Sequence, residues 1–225
     1  MGAEVQSGTD SSQPPRSPAV TKYVNASHYY RSIVESEKAI AAMTKAIALA
    51  PTDAGLYAER EELYANTFVM DKAFADANKA IQLDPKQGLF FRRRERLYYL
   101  TGQWNKAVAD LIIAIKLSPT DPEPHFDCAR AYKKLAKYDK SIEQYRTYMS
   151  FKNAKHVKDS GNELGELYLK VGKPQDAIDT FTRYIAIFPD LPQGYYGRAK
   201  AYDAIGKTQL AITDRNRARE AEKEF

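Results

Sequence analysis

Prolines at Pro51, Pro85 and Pro119 recur at intervals of 34 residues, and this period constrains the chain more than any other feature. Pro189 follows after two further periods and two extra residues. Twelve residues before each proline stands an alanine: Ala39, Ala73, Ala107 and Ala177. Five residues before each stand Ala46, Ala80, Ala114 and, in the last case, Tyr184. Nine residues ahead of each first alanine is a tyrosine: Tyr30, Tyr64, Tyr98 and Tyr168. Two looser copies keep the phase, one with Tyr132, Ser141, Tyr145 and Tyr148, the other with Tyr202, Ala211 and Ala218. Six copies in register exclude a single irregular core. They require units that stack on their neighbours, because one short unit cannot bury its own apolar face.

Each copy reads as two amphipathic helices, with apolar residues at helical spacing. The stretch Leu164–Pro189 shows the punctuation most clearly. Gly172 suits a helix C-terminus, where φ > 0 costs glycine nothing. Pro174 suits the first turn of the next helix, where its missing N–H has no partner in any case. Small residues at recurring contact points let neighbouring helices approach, and aromatic rings fill the space between them. The expected fold is therefore all-α, a solenoid of antiparallel helical hairpins over residues 20–225. Residues 1–19, with Pro14, Pro15 and Pro18 and few apolar residues, are expected to be disordered.

Two places depart from the pattern. Near residues 150–160 the array gains its extra residues, and Tyr148 and Tyr184 occupy a small-residue column. Bulk there predicts altered curvature, a longer helix or a small cleft. The last helix carries Arg215 in the column of Met43, Ala77, Leu111, Tyr145 and Phe181, with Asp214, Arg217, Arg219 and Glu220 around it. A polar outer face is what a terminal cap needs, so Phe225 is expected at or near the end of the array.

Little in the chain suggests catalysis. A single cysteine, Cys128, precludes an intrachain disulfide and any multi-cysteine metal site. His28, His125 and His156 have no metal-binding spacing. Gly206-Lys207-Thr208 looks like the end of a phosphate loop, but Ala201 stands where its first glycine belongs. No apolar run nears the ~18–20 residues of a membrane span. Cofactors and metals are not expected. The net charge of +5 allows an acidic partner without requiring nucleic acid.

The recurring Leu-Gly-x-x-Tyr, Ala-x-x-x-Phe and Pro pattern resembles the tetratricopeptide repeat (TPR). The resemblance covers nearly all of the chain beyond residue 19. It implies a right-handed superhelix whose concave groove is lined by the first helix of each hairpin. It also implies a non-catalytic protein–protein interaction scaffold. One TPR subgroup grips chaperone C-termini through a Lys/Asn/Asn/Lys/Arg clamp, and no run of three repeats here carries it. The first repeat offers Val24 and His28, followed by Glu59. The third offers Arg92 and Arg96, followed by Asp127 and Glu163, which would repel a carboxylate.

On the implied groove face the distinctive residues are Arg92, Arg96, Tyr99, Phe126, Arg130, Lys133, Lys134 and Tyr196. Arginines can grip carboxylates in two-toothed fashion and aromatics add rigid contact area, so an acidic partner segment is the expected ligand. The competing expectation is self-pairing. Read along one column, Glu62, Arg96, Arg130 and Glu166 could neutralise one another. Two other readings stay open: a self-assembling or complex-organising scaffold that uses convex or end surfaces, and, more remotely, single-stranded RNA binding. Oligomeric state is open. The expected compartment is the cytoplasm, the alternative being an exported protein or a fragment lacking its signal.

Overall fold

The 34-residue period is realised as paired helices. In the computed structural model, which describes residues 15–223, twelve helices and no strand occur among the described residues. They are α1 (Pro18–Ser32), α2 (Ser36–Leu49), α3 (Ala54–Asn66), α4 (Met70–Leu83), α5 (Gly88–Leu100) and α6 (Trp104–Leu117). Then follow α7 (Glu123–Lys134), α8 (Tyr138–Ser150), α9 (Val157–Lys170), α10 (Pro174–Ile187), α11 (Pro192–Ala204) and α12 (Thr208–Ala221). Consecutive pairs form hairpins. The chain divides into two units, Met1–Pro85 with α1–α4 and Lys86–Phe225 with α5–α12.

The alanine columns are buried as the pattern requires. Ala39, Ala73, Ala107, Ala177 and Ala211 are fully buried, as is Ser141, and so are Ala46, Ala80, Ala114 and Ala218. Ser141 fits among alanines because its hydroxyl donates to the Ala129 carbonyl at 2.8 Å. Ser27 does the same to Ala39 at 2.9 Å. Both satisfy a buried hydroxyl that would otherwise be costly.

In the first unit, Val20, Val24, Met43, Ile47, Leu56 and Leu63 form the core between the hairpins. The start of the ordered array differs from expectation. Helix α1 begins at Pro18, inside the stretch expected to be disordered, with Ser17 accepting from the Val20 N–H at 3.4 Å. Arg16 explains the earlier start: its guanidinium bonds Asp53 at 2.7 Å and Glu59 at 3.0 Å, which pins the chain onto α3. The disorder expected for residues 1–14 lies outside the described residues, and so does Phe225.

In the second unit, Tyr145, Leu164, Leu167, Ile178 and Phe181 make the main core. Phe181 fits because its ring lies against two glycines. A Cβ at Gly165 would come within 2.4 Å of the ring, and one at Gly197 within 2.3 Å. The bulk of Tyr184 is accommodated by the same means, against Gly161 and Gly194. Tyr148 is fully buried, and its hydroxyl oxygen accepts the His156 N–H at 2.6 Å, which ties down the long connection 151–156. A small cavity of about 180 Å³ opens beside Tyr184, between Lys158, Asp159 and Gln193.

An ion pair that the column pattern does not announce recurs in three hairpins. Arg60–Asp76, Arg94–Asp110 and Arg198–Asp214 are two-toothed, with N···O distances of 2.7–2.8 Å. The hydrogen bonds to the aspartates raise the arginine pKa values. Arg60 also reaches Thr44, and Arg198 reaches Thr182, on the preceding hairpin, so one guanidinium joins three helices. This corrects the reading of the cap helix: Asp214 is buried against Arg198 and is not part of its outer polar face.

Candidate partner-binding groove

The first helices of the second unit, α5, α7, α9 and α11, carry charges at matching repeat positions and are laced together across one face. Arg92 of α5 meets Asp127 of α7 at 3.2 Å and Asp121 at 3.5 Å. Lys133 of α7 pairs with Glu163 of α9. Glu166 of α9 pairs with Lys200 of α11 at 3.0 Å. Much of this face is therefore self-paired. Glu166 is taken by Lys200, and Glu62 is bonded by Arg31 at 3.3 Å.

Arg130 behaves differently. Its guanidinium lies over the Tyr99 ring at 4.9 Å and near the Phe126 ring at 5.7 Å. Phe126 in turn stacks on His156, with ring centroids 4.6 Å apart and planes 19° apart. The nearest carboxylate, Asp127, is 3.9 Å away, longer than a good hydrogen bond. Arg130 remains 45% exposed. A guanidinium held by its faces keeps its edge N–H groups for an incoming acceptor. The sequence motif thus brings Tyr99, Phe126 and Arg130 into one stack, with exposed Lys133 and Lys134 one turn further along α7. Arg96 is exposed on α5. Tyr196 lies apart, beside Glu222 and Arg219 at the end of α12; desolvation and the Glu222 carboxylate raise its pKa.

Beneath this face lies a buried acid. Glu95 of α5 is 4% exposed. Burial pushes its carboxyl up to about 8, and Asp127 adds to the shift while Arg92 and Arg130 oppose it. Cys128 is pushed up to about 12, first by burial and then by Glu95, so its thiol is inert at neutral pH. Among the described residues no cluster of His, Cys, Asp and Glu is arranged to hold a metal ion. None of the described helices is long and apolar enough to cross a membrane.

A cavity of about 450 Å³ opens on the same face between α7, α9 and α11. Leu167 and Leu169 supply its apolar lining, and Lys133, Glu163, Glu166, Lys170 and Lys200 its charges. Of these, the sequence singles out Lys133 as a site residue and places Glu163 and Glu166 on groove columns. Lys200 was within reach, since it extends the Glu62–Arg96–Arg130–Glu166 column by one more repeat. Lys170 carries no such signal.

Two family models match the chain: "Tetratricopeptide repeat" over residues 23–53 and "TPR repeat" over residues 96–136. No curated protein matches it by sequence. Solved structures do match. The C-terminal part of a TPR repeat-containing protein from Cytophaga hutchinsonii superposes with a TM-score of 0.75 at 17% identity, over 88% of this chain and 78% of that one. YrrB, described as a TPR protein with an unusual peptide-binding site, gives 0.70 at 15% identity, over 80% and 92%. A tetratricopeptide repeat protein from Parabacteroides merdae gives 0.70 at 17% identity, over 88% and 78%. At these identities the likeness concerns the fold.

Proposed function

The chain is a tetratricopeptide-repeat protein, and from that premise we propose that it is a non-catalytic scaffold which binds an acidic partner segment along α5, α7 and α9. Its repeats and structural neighbours already point to protein–protein interaction. The observation that carries the finer reading is the Arg130 stack. A guanidinium aligned by Tyr99 and Phe126, 45% exposed and without a close carboxylate, suits a carboxylate of the partner. Lys134 adds charge beside it, and the cavity over Leu167 and Leu169 offers room for an apolar side chain. The exposed pairs Lys133–Glu163 and Lys200–Glu166 are worth only ~0–1 kcal/mol each and can yield to a ligand. Arg92 serves mainly to offset Asp121 and Asp127.

The test is fluorescence anisotropy with a panel of acidic peptides and their amidated counterparts at several salt concentrations. Arg130→Ala with Lys134→Ala should weaken binding at least ~10-fold, the loss of one charge-assisted contact. Added salt should weaken the wild type as well. Affinity indifferent to both salt and the substitutions would reject the acidic ligand.

A further inference from the structure

The turns between the two helices of each hairpin all need one residue in the left-handed region. In three hairpins of the second unit glycine supplies it: Gly102, Gly172 and Gly206 have φ of +74°, +71° and +73°. In the first unit the same positions hold Val34 at φ +64° and Phe68 at φ +59°. A β-branched or bulky residue is strained there, by roughly 1–2 kcal/mol. Burial does not compensate, for Val34 is 84% exposed and Phe68 81%. Ile33, Val69 and Tyr29 are exposed next to them. The residue after the glycine in the second unit is Gln103, Lys173 or Lys207, so those turns present polar tips.

The two apolar turns hold the same place in successive hairpins, 34 residues apart. His28 meets Glu59 at 2.8 Å and Arg31 meets Glu62 at 3.3 Å, which holds α1 and α3 parallel with a constant offset of 31 residues. Parallel helices bring the turn that carries Val34 and the turn that carries Phe68, which each follow one of them, to the same edge. Together the five side chains expose roughly 500 Å² of largely apolar surface, within the ~300–600 Å² range of the largest, often functional, patches on monomers.

We propose that this turn edge is a self-association surface, occupied by the same edge of a second copy of the chain. The surrounding charge favours that occupant. Exposed acids and bases rim both apolar turns: Arg31, Glu35, Glu37 and Lys38 at the first, where Lys38 bonds Glu35 at 3.1 Å, and Asp71 and Lys72 at the second. Each edge therefore carries both signs in balance and can pair with its own copy in the reciprocal manner of a two-fold interface. An anionic membrane would select a basic rim instead. The apolar patch plus its charged rim approaches the ~800 Å² per partner of a standard interface. Phe68 is the anchor, set against Val34 and Ile33 of the partner copy. This surface is separate from the α5–α9 groove, and neither reading depends on the other.

The test is sedimentation velocity of the full chain over a wide concentration range, alongside Val34→Gly/Phe68→Gly. Glycine is the residue that other turns use at this φ, so the variant should fold. The expected result is a concentration-dependent dimer in the wild type and about 100-fold weaker association in the variant, as befits loss of two central side chains. Val34→Asn/Phe68→Asn keeps a residue tolerant of this backbone while removing the apolar surface, and should behave alike. A wild type that stays monomeric at all concentrations, or a dimer unaffected in both variants, overturns the proposal. So does a monomeric wild type that co-sediments with phosphatidylcholine vesicles, which would assign the edge to lipid.

Discussion

The third and fifth hairpins present the same backbone and fill it in opposite ways. At equivalent positions the third has Arg94, Glu95, Asp110 and Leu111, and the fifth has Leu164, Gly165, Thr180 and Phe181. The third is clasped by a two-toothed Arg94–Asp110 pair and holds Glu95 in the column that carries Ser27, Glu61, Ala129, Gly165 and Ala199 in the other hairpins. The fifth uses a buried ring lodged between glycines and has no such pair at these positions. A hairpin repeat therefore demands filled volume at this column pair, and either chemistry serves. The polar solution carries a pH dependence that the apolar one lacks.

The largest effect should come from removing the ring. Phe181→Ala should destabilise the second unit by about 4 kcal/mol, through a cavity that rigid flanking helices cannot close. Thermal denaturation of the two variants will show whether the third hairpin relies on its clasp to a similar extent. Asp110→Ala should lose about 3 kcal/mol, because it removes the two-toothed partner of the partly buried Arg94 guanidinium. Its positional counterpart Thr180→Ala should lose under ~0.5 kcal/mol. If the two cost the same, the contrast between the hairpins is wrong.

The pH dependence belongs to Glu95. Its folded pKa, about 8, lies above its ordinary value of 4.5, so the folded state holds the proton longer. The stability this group contributes is full below about 4.5 and is lost as pH rises through about 8. The slope is at most about 1.4 kcal/mol per pH unit. Urea midpoints measured across this window should fall more steeply in the wild type than in Glu95→Gln, and parallel curves would refute the assignment. Apart from the Thr180→Ala control, the smallest effect is expected for Gly165→Ala. Overpacking against Phe181 outweighs the gain in helix propensity, for a net loss of about 1 kcal/mol. Adding Phe181→Leu should make the pair less damaging than the two changes summed.

Much of this fold was legible from residue types alone. The alanines at Ala39, Ala73, Ala107 and Ala177 recur because helix contact distance admits nothing larger, and Gly172 marks a turn that needs φ > 0. Bulk at Tyr148 and Tyr184 was legible too, but not how it is housed. That depends on Gly161, Gly194 and the His156 backbone, which come from other helices or from the connection between them. The same holds for the site. Tyr99, Phe126, Arg130 and Lys134 could be chosen because they share implied groove columns. That Arg92 is offset by Asp121 and Asp127 while Arg130 is stacked on rings could not.

By itself the sequence determined the period, the helices, their buried columns and the face that carries charge, since each follows from local spacing along one helix or one repeat. Only the tertiary structure decided which of those charges stay available, that Glu95 is buried, and that Val34 and Phe68 stand exposed in strained turns. The first two outcomes depend on partners about thirty residues away, brought within a few ångströms by the stacking of one hairpin on the next.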